Sequence, residues 1–551
     1  MDYKYLAEVM FGDITMTMED YEKKYPERNL KEGAKVTRIA PSPTGFMHLG
    51  NLFGAITDER LAHQSDGIFF LRIEDTDLKR QVEGGVETII EVFNQFNLKF
   101  DEGVTLDGEK GDYGPYRQRQ REKIYKTYAK HLVEQGLAYP CFCTEEDLEA
   151  MRKEQEEKKD NFGYYGKYAK HRDMPIEEAV EEIKKGTPYV LRFKSMGNPE
   201  NKVKHNDLIK GYIEMPENDQ DIVLLKSDGI PTYHFAHVVD DHLMRTTIVV
   251  RGEEWLATLP VHLQLFDTLG FKRPKFAHTA QLMKMDGESK RKLSKRKDPE
   301  LALSYYNEMG YPVPSVIEYL MTLLNSNFEE WRLANPKEDI NKFNFTTKKM
   351  SVSGSLFDID KLRDVSKNVV ANMDAEEVYN YVLNWSKEYD SELYNELSSD
   401  KEYAIKIFSI GRGGKKPRKD IAVWSEVKDY ISFFYDSLFN KEYELCENID
   451  KETTIKVLEK YKEAYKEQED MNEWFNDICE VGSELGFAKT TKEYKENPDA
   501  FKGSPGDVSQ IIRVAVTGKQ NSPDLYSVMN ILGYNKVIKR LDLAIAYITK
   551  G

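Results

Sequence analysis

The sequence predicts an α/β protein: a parallel-sheet nucleotide fold split by an inserted α/β domain and followed by an all-helical carboxyl half. Three observations carry that prediction. Val36 to Ala40 is a short apolar run that stops at Pro41, Pro43 and Gly45, so a strand must give way to a tight loop. Leu49, Leu52, Phe53 and Ile56 then recur at i, i+3, i+4 and i+7, one face of an amphipathic helix. The same strand–helix alternation returns after about residue 230 and ends at Asp298, beyond which the chain is helical almost throughout.

Length and composition bound the rest. At 551 residues the chain has material for about three to five domains. No run approaches the roughly 20 apolar residues of a membrane helix, and Met1 to Leu30 is acidic and polar rather than signal-like. A soluble, cytoplasmic protein with no membrane partner is expected. Cys141, Cys143, Cys446 and Cys479 are too few for a disulfide framework in so long a chain, which suits a reducing compartment. The net charge of -16 does not exclude a nucleic acid, because binding depends on where positive charge sits and not on its sum. Lys284 to Lys297 and Arg412 to Lys419 are basic clusters in the acidic background.

In chain order, residues 1–35 form an N-terminal extension with a helix over Met18 to Tyr25 packed on the body. Residues 36–137 hold the first half of the nucleotide fold. There Ile68 to Ile73 is a second buried strand, ending in Glu74-Asp75-Thr76-Asp77 at the carboxyl edge where open α/β sheets keep their ligands. Helices follow over Gly85 to Asn97 and Gln118 to Gln135. Residues 138–230 break the alternation, with a charged helix over Glu145 to Lys159 and strands over Tyr189 to Phe193 and Asp221 to Leu225, so they read as a smaller inserted domain. Residues 231–298 are the second half, with a strand over Thr247 to Val250 ending at Arg251 and a helix over Glu253 to Leu269 closed by Gly270. Residues 299–375 and 376–551 are helical, with segments at Pro314 to Leu324, Ile359 to Val370 and Thr453 to Gln468. The last clear helix has Ser522 as its N-cap, Pro523 at its first position and Gly533 as its stop.

A helix that follows a parallel strand presents free N–H groups and a positive end, which attract phosphate. His48 sits at that end and can donate to a phosphate oxygen, and Gly50 leaves room for a flat base that a Cβ would obstruct. Far along the chain, Lys292-Leu293-Ser294-Lys295-Arg296 is a flexible-looking basic loop. Alone it reads as a solvated charge run. That reading fails once the loop is paired with the opening stretch, in this order, with a second strand–helix half between them.

On these residues the chain resembles bacterial-type glutamyl-tRNA synthetases, which are class I aminoacyl-tRNA synthetases. The resemblance runs through Arg38 to Gly45, His48-Leu49-Gly50-Asn51, Arg72 to Asp77, Pro231-Thr232-Tyr233, Val239-Asp240-Asp241, Arg251 to Trp255, Lys292 to Arg296 and Arg513 to Gly518, almost the whole chain. It implies a Rossmann-type catalytic fold that activates L-glutamate with ATP and Mg2+, releases pyrophosphate and transfers the glutamyl group to tRNA(Glu), with tRNA(Gln) open as a second acceptor. A monomer is expected. His48, Gly50, Asn51, Lys292, Ser294 and Lys295 are implied around ATP, His48 and Lys295 as the catalytic pair.

Arg38, Ala40, Ser42, Glu74, Tyr233, His237 and Arg251 are implied around glutamate, His237 standing where many relatives have asparagine or valine. Two arginines and an acid suit a ligand with two carboxylates and an ammonium, and arginine favours the paired acceptors of a carboxylate over an amide. Which arginine holds which carboxylate stays open. The resemblance makes 138–230 an acceptor-stem-binding domain, 299–375 a stem-contact domain and 376–551 the anticodon-binding domain. In the last, Arg412, Lys415, Lys416 and Arg418 could neutralise RNA phosphates. Cys141 and Cys143 are half of a zinc site that some relatives carry. Tyr168 and Lys170 stand where those relatives complete it, although His171 and Tyr164 are near, so no zinc is expected and the cysteines are read as packed. Ala40-Pro41-Ser42-Pro43 favours the glutamyl over the glutaminyl type, the helical carboxyl half excludes the short glutamylating paralogue, and intact His48, Glu74, Arg251 and Lys295 speak against an inactive RNA-binding relative.

Overall fold

Val36–Ile39 forms the central strand of a parallel sheet, with Val36, Thr37 and Arg38 buried between layers and Ile39 half-buried. The computed structural model describes residues 2–294 and 296–550, in two compact units: the chain up to Tyr305 with Leu320–Asp358, and Tyr306–Tyr319 with the chain from Ile359 onward.

In the first unit, Ile68–Leu71 runs parallel to Val36–Ile39 in the register Val36 to Ile68 through Ile39 to Leu71. Glu102–Thr105 runs parallel beyond it and folds back as a hairpin onto Gly108–Lys110. On the opposite side the Thr247 N–H donates to the Val36 carbonyl at 2.9 Å, which seats Ile248–Gly252 beside the first strand. Lys275–Thr279 continues the sheet in parallel. The chain therefore builds outward in one direction, then returns to the centre and builds outward in the other. The crevice at that reversal, at the carboxyl ends of the strands, is where a doubly wound sheet binds ligand.

The helix Leu49–His63 follows the first strand as expected, with Leu49, Leu52, Phe53 and Ile56 all buried. Each such burial stabilises by about 1.5–3 kcal/mol, which holds the start of the helix at the crevice. His48 is its N-cap rather than part of its first turn, with extended backbone angles.

The inserted segment contains the antiparallel strands Ala138–Cys141, Val190–Phe193 and Val223–Leu225, and a helix at Glu145–Lys158 capped by Thr144. Several strands lie outside the sequence reading: Lys275–Thr279, the hairpin of Glu102–Thr105 with Gly108–Lys110, and the hairpin of Lys202–Asp207 with Gly211–Pro216. Lys275–Thr279 has only Phe276 and Ala277 as an apolar pair, and the hairpin strands are short and rich in Lys, Glu, Asn or Gly, so none carries the apolar run that marks a strand. The extension holds a further helix, Tyr3–Phe11, that buries Leu6, Ala7 and Phe11, besides Met18–Lys24.

The second unit is helical, its core shared by Ala375–Tyr389, Lys401–Ser409, Lys451–Ala464, Met471–Glu484, Pro505–Thr517 and Leu525–Lys550, with Trp424, Phe433 and Phe434 between them. Asp524, not Ser522, caps the last helix: its carboxylate accepts from the Ser527 N–H at 2.9 Å, while the Ser522 carbonyl accepts from Arg513. Gly533 interrupts that helix at φ 75°, and the helix resumes beyond it. Among the described residues, no helix is long and apolar enough to cross a membrane.

Candidate functional site

One cavity of about 710 Å3 opens at the reversal point of the sheet. Its wall gathers Arg38, Ala40, Ser42, His48, Gly50, Asn51, Glu74, Tyr233, Arg251, Lys292 and Ser294, which are separated by up to about 250 positions in the chain. Every described residue expected around the nucleotide or the amino acid is thus in one place except His237. Lys295 lies outside the described residues; Lys292, Leu293 and Ser294 before it share the cavity with His48.

The strands dictate this convergence. Arg38 lies in the first strand, Glu74 just beyond the second, and Arg251 near the end of Ile248–Gly252. Parallel strands end on the same side, so residues at their carboxyl ends meet. At the helix end, Asn51 Oδ1 accepts from the His48 N–H at 3.0 Å, fixing the turn that carries the imidazole. A Cβ on Gly50 would stand 3.1 Å from two atoms of the His48 ring, so the space left by this glycine is taken up in part by that ring.

Beneath the cavity lies a buried charge network that the sequence named only as a motif. Asp241 accepts from Arg38 Nε at 3.0 Å and Nη2 at 3.2 Å, and from Arg72 Nη1 at 2.8 Å. Arg72 in turn donates to Glu74 Oε1 at 3.2 Å. The Asp241 carboxyl is held well below the usual range: burial opposes ionisation, but Arg38 and Arg72 outweigh it. Glu74 is pushed upward by burial, with Arg72 and Arg38 opposing. Asp240 anchors the other side, accepting from Arg121 Nε at 2.6 Å, the Tyr125 hydroxyl at 2.8 Å and Gln118 Nε2 at 2.9 Å.

His237 does not reach the cavity. It is fully buried, stacks under Tyr233 with ring centroids 5.6 Å apart, and places Nδ1 against the Asp241 carboxylate. Burial pushes its pKa down to about 3. It supports the floor of the site, correcting the expectation that it touches ligand.

Arg251 differs from Arg38. Its Nε donates to His278 Nε2 at 3.0 Å and its Nη1 to His262 Nδ1 at 2.9 Å, whereas Nη2 is buried with no hydrogen-bond partner among the described residues. Trp255, also lining the cavity, packs on Tyr233 at 4.4 Å between centroids. Neither histidine was singled out from the sequence, where Trp255 stood only as the end of the Arg251 to Trp255 stretch, and no local spacing marks the histidines.

The basic loop is less solvated than its composition suggests. Leu282–Asp286 and Ser289–Lys292 form an antiparallel hairpin. Asp298 draws in Arg291 Nη1 at 2.6 Å, Arg291 Nη2 at 2.7 Å and the Ser294 N–H at 2.8 Å, and Lys284 pairs with Glu300. Lys292 remains exposed at the cavity.

Comparison with known proteins places this geometry. Residues 35–364 match the family model of class I tRNA synthetases (E and Q), catalytic domain, and residues 416–545 match an anticodon binding domain. The chain is 56% identical over 542 residues to a glutamate–tRNA ligase of Acetivibrio thermocellus, covering 98% of this chain and 99% of that one. The chain belongs to the glutamate–tRNA ligase family of class I aminoacyl-tRNA synthetases. A glutamate–tRNA ligase of Clostridium beijerinckii is 52% identical over 548 residues, covering 98% and 99% of the two chains. The crystal structure of a glutamate–tRNA synthetase from Elizabethkingia anophelis superposes with a TM-score of 0.73 at 27% identity, covering 93% of this chain and all of that one.

Two further groups of residues bear on the family's functions. Cys141 Sγ, Cys143 Sγ and His171 Nδ1 lie within 4.8 Å of one another, and the Tyr164 hydroxyl is 3.3 Å from the first sulfur and 3.5 Å from the second. The Cys143 thiol and the Tyr164 hydroxyl beside it hold the Cys141 thiol below its usual range, against burial. Two sulfurs and an imidazole supply three of the four ligands of a tetrahedral zinc site, with the Tyr164 hydroxyl beside them. The expectation of merely packed cysteines rested on Tyr168 and Lys170 standing where relatives have ligands; His171 and Tyr164, noted there only as near in the sequence, lie against the two sulfurs in the structure. In the helical unit, Lys415 and Lys416 are exposed, but Arg412 is half-buried against the Val370 and Met373 carbonyls and Arg418 pairs with Asp420. Of these four, Lys415 and Lys416 are the two whose charge no acid or carbonyl takes up among the described residues.

Proposed function

We propose that this cavity joins L-glutamate to ATP, taken as its magnesium complex, as glutamyl-adenylate, and then passes the glutamyl group to the 3′ end of tRNA(Glu). The observation that carries the reading is the shared wall: the imidazole at the helix end, the Lys292–Ser294 segment and both arginines face one space of a size for an amino acid and a nucleotide.

Attack of a glutamate carboxylate oxygen on the α-phosphate brings two anions together, so holding and neutralising them supplies much of the rate. His48 and the free N–H groups behind it meet the phosphates at the positive end of the helix. Lys292, with the segment after it, supplies cations for the charge that grows on the departing pyrophosphate. Glu74 takes the ammonium, whose positive charge offsets the burial that raises the carboxyl. Arg251 takes a carboxylate on Nη2. Arg38, locked to Asp241, contributes shape and a rigid edge. Nothing in the cavity needs to act as a strong base, because both the attacking carboxylate and the phosphate arrive ionised.

In the inserted segment, Cys141, Cys143 and His171 with Tyr164 would hold a structural zinc ion, tying a strand end to the loop beyond it. Lys415 and Lys416 fit a contact to an RNA loop.

Aminoacylation of purified tRNA(Glu) and tRNA(Gln) transcripts with glutamate and with glutamine tests the reading. Charging of tRNA(Glu) with glutamate is expected. Charging with glutamine in preference to glutamate, or no ATP–pyrophosphate exchange in the presence of tRNA, would reject it.

A further inference from the structure

Four of the ten histidines, His234, His237, His262 and His278, pack behind Arg251, and two of them hold it directly. A guanidinium can only donate, so both partners must accept. His278 Nε2 is then bare and its proton lies on Nδ1, which faces Asp207 Oδ2 at 2.6 Å. His262 Nδ1 is likewise bare and its proton lies on Nε2, which faces His234 Nδ1 at 2.9 Å. The tautomer of each ring is dictated by its neighbours. Asp207 is itself fixed, since its other oxygen accepts from the N–H groups of Ile209 and Lys210, both at 2.9 Å. It closes the Lys202–Asp207 strand, so a hairpin of the inserted segment is wired through His278 to the cavity.

Neutral acceptors do something carboxylates could not. Arg38 is anchored by the Asp241 carboxylate, which it shares with Arg72 and which offsets part of its charge on the spot. Arg251 is anchored by two uncharged rings, so its orientation is set while its full charge stays available to a ligand. We infer that His262 and His278 are positioning residues for the amino-acid carboxylate: they hold Arg251 by Nε and Nη1 and leave Nη2 for the bound acid. The inference rests on the reading that Arg251 faces glutamate.

The test uses the full chain in tRNA aminoacylation, with His262→Leu and His278→Leu as variants that cannot accept. His262→Asn and His278→Gln place an amide oxygen where each ring nitrogen stood. The leucine variants are expected to raise KM for glutamate about 10- to 100-fold, the worth of a hydrogen bond to a charged group. KM for ATP should move by less than about twofold, and the amide variants should recover most of the loss. Introduced into Arg251→Ala, the leucine changes should add nothing. Wild-type glutamate KM in both leucine variants, a parallel rise in KM for ATP, or full additivity with Arg251→Ala would overturn the inference. An unchanged glutamate KM in Arg251→Ala alone would instead overturn the pocket reading beneath it. Nitrogen-15 histidine spectra of the unmutated protein give a second check that needs no variant to fold: protons on Nδ1 of His278 and Nε2 of His262 are expected, and the opposite tautomers would overturn the inference.

Discussion

Arg38 and Arg251 bring the same group to one cavity in different electrical states. Arg38 and Arg72 share the buried Asp241, so Arg38→Gln leaves that carboxylate with less compensation than burial requires. Breaking such a pair should destabilise the protein by about 3 kcal/mol, read as a shift of the urea midpoint. Arg251→Gln removes the uncompensated charge instead. It should lower the preference for glutamate over glutamine by about 100-fold in kcat/KM with little change in the urea midpoint, since a site built for a carboxylate discriminates by that order. His237 adds a pH dependence. Its folded pKa of about 3 lies below the ordinary histidine value, so the ring contributes stability at neutral pH that is lost as pH falls toward 3, where the unfolded chain binds the proton and the folded one does not. Between pH 6 and 4 unfolding free energy should fall about 1.4 kcal/mol per pH unit more steeply in the wild type than in His237→Gln. Equal slopes would mean that the ring titrates normally.

At the scale of elements, the helix Leu49–His63 and its cap are one device. Gly50→Ala should leave the fold intact, because alanine favours a helix by up to about 1 kcal/mol over glycine. The new methyl must still displace the His48 ring, which stands 3.1 Å from its place. KM for ATP should rise about tenfold while KM for glutamate stays put, and an unchanged ATP KM would separate the imidazole from the phosphates. The Cys141–Cys143 turn is a second device. One equivalent of Co2+ should give the thiolate charge-transfer band of a tetrahedral site in the wild type and lose it in Cys143→Ser and His171→Ala. No band in the wild type would return the cysteines to simple packing. These elements differ in legibility. The first strand and helix were readable because their apolar periods are local, whereas the Lys202–Asp207 hairpin alternates polar with half-buried residues and carries no apolar run.

For the whole molecule, an acidic chain that binds RNA must do so through few, well-placed cations. Replacing Lys415 and Lys416 with alanine should reduce the slope of log affinity for tRNA against log salt by about 0.7 for each lysine that neutralised a phosphate. Arg418→Ala should leave the slope unchanged, because Asp420 already occupies that guanidinium. A loss of slope in Arg418→Ala alone would reverse the assignment. The four basic residues from 412 to 418 stand in different surroundings, because a run of positive charge says nothing of which side chains turn inward to cap carbonyls or meet a neighbouring acid.

By itself the sequence determined the order of strand, loop and helix, the division into sheet-forming and helical halves, and the residue types that meet phosphate and a carboxylate. Those follow from short-range periodicity and from the donors and acceptors each side chain owns. Tertiary structure alone decided which arginine is met by a carboxylate, that His237 supports the floor while His262 and His278 grip Arg251, and that His171 closes on two cysteines. Each of those depends on partners up to about 200 positions apart in the chain, and on whether burial leaves a group neutral or ionised once they meet.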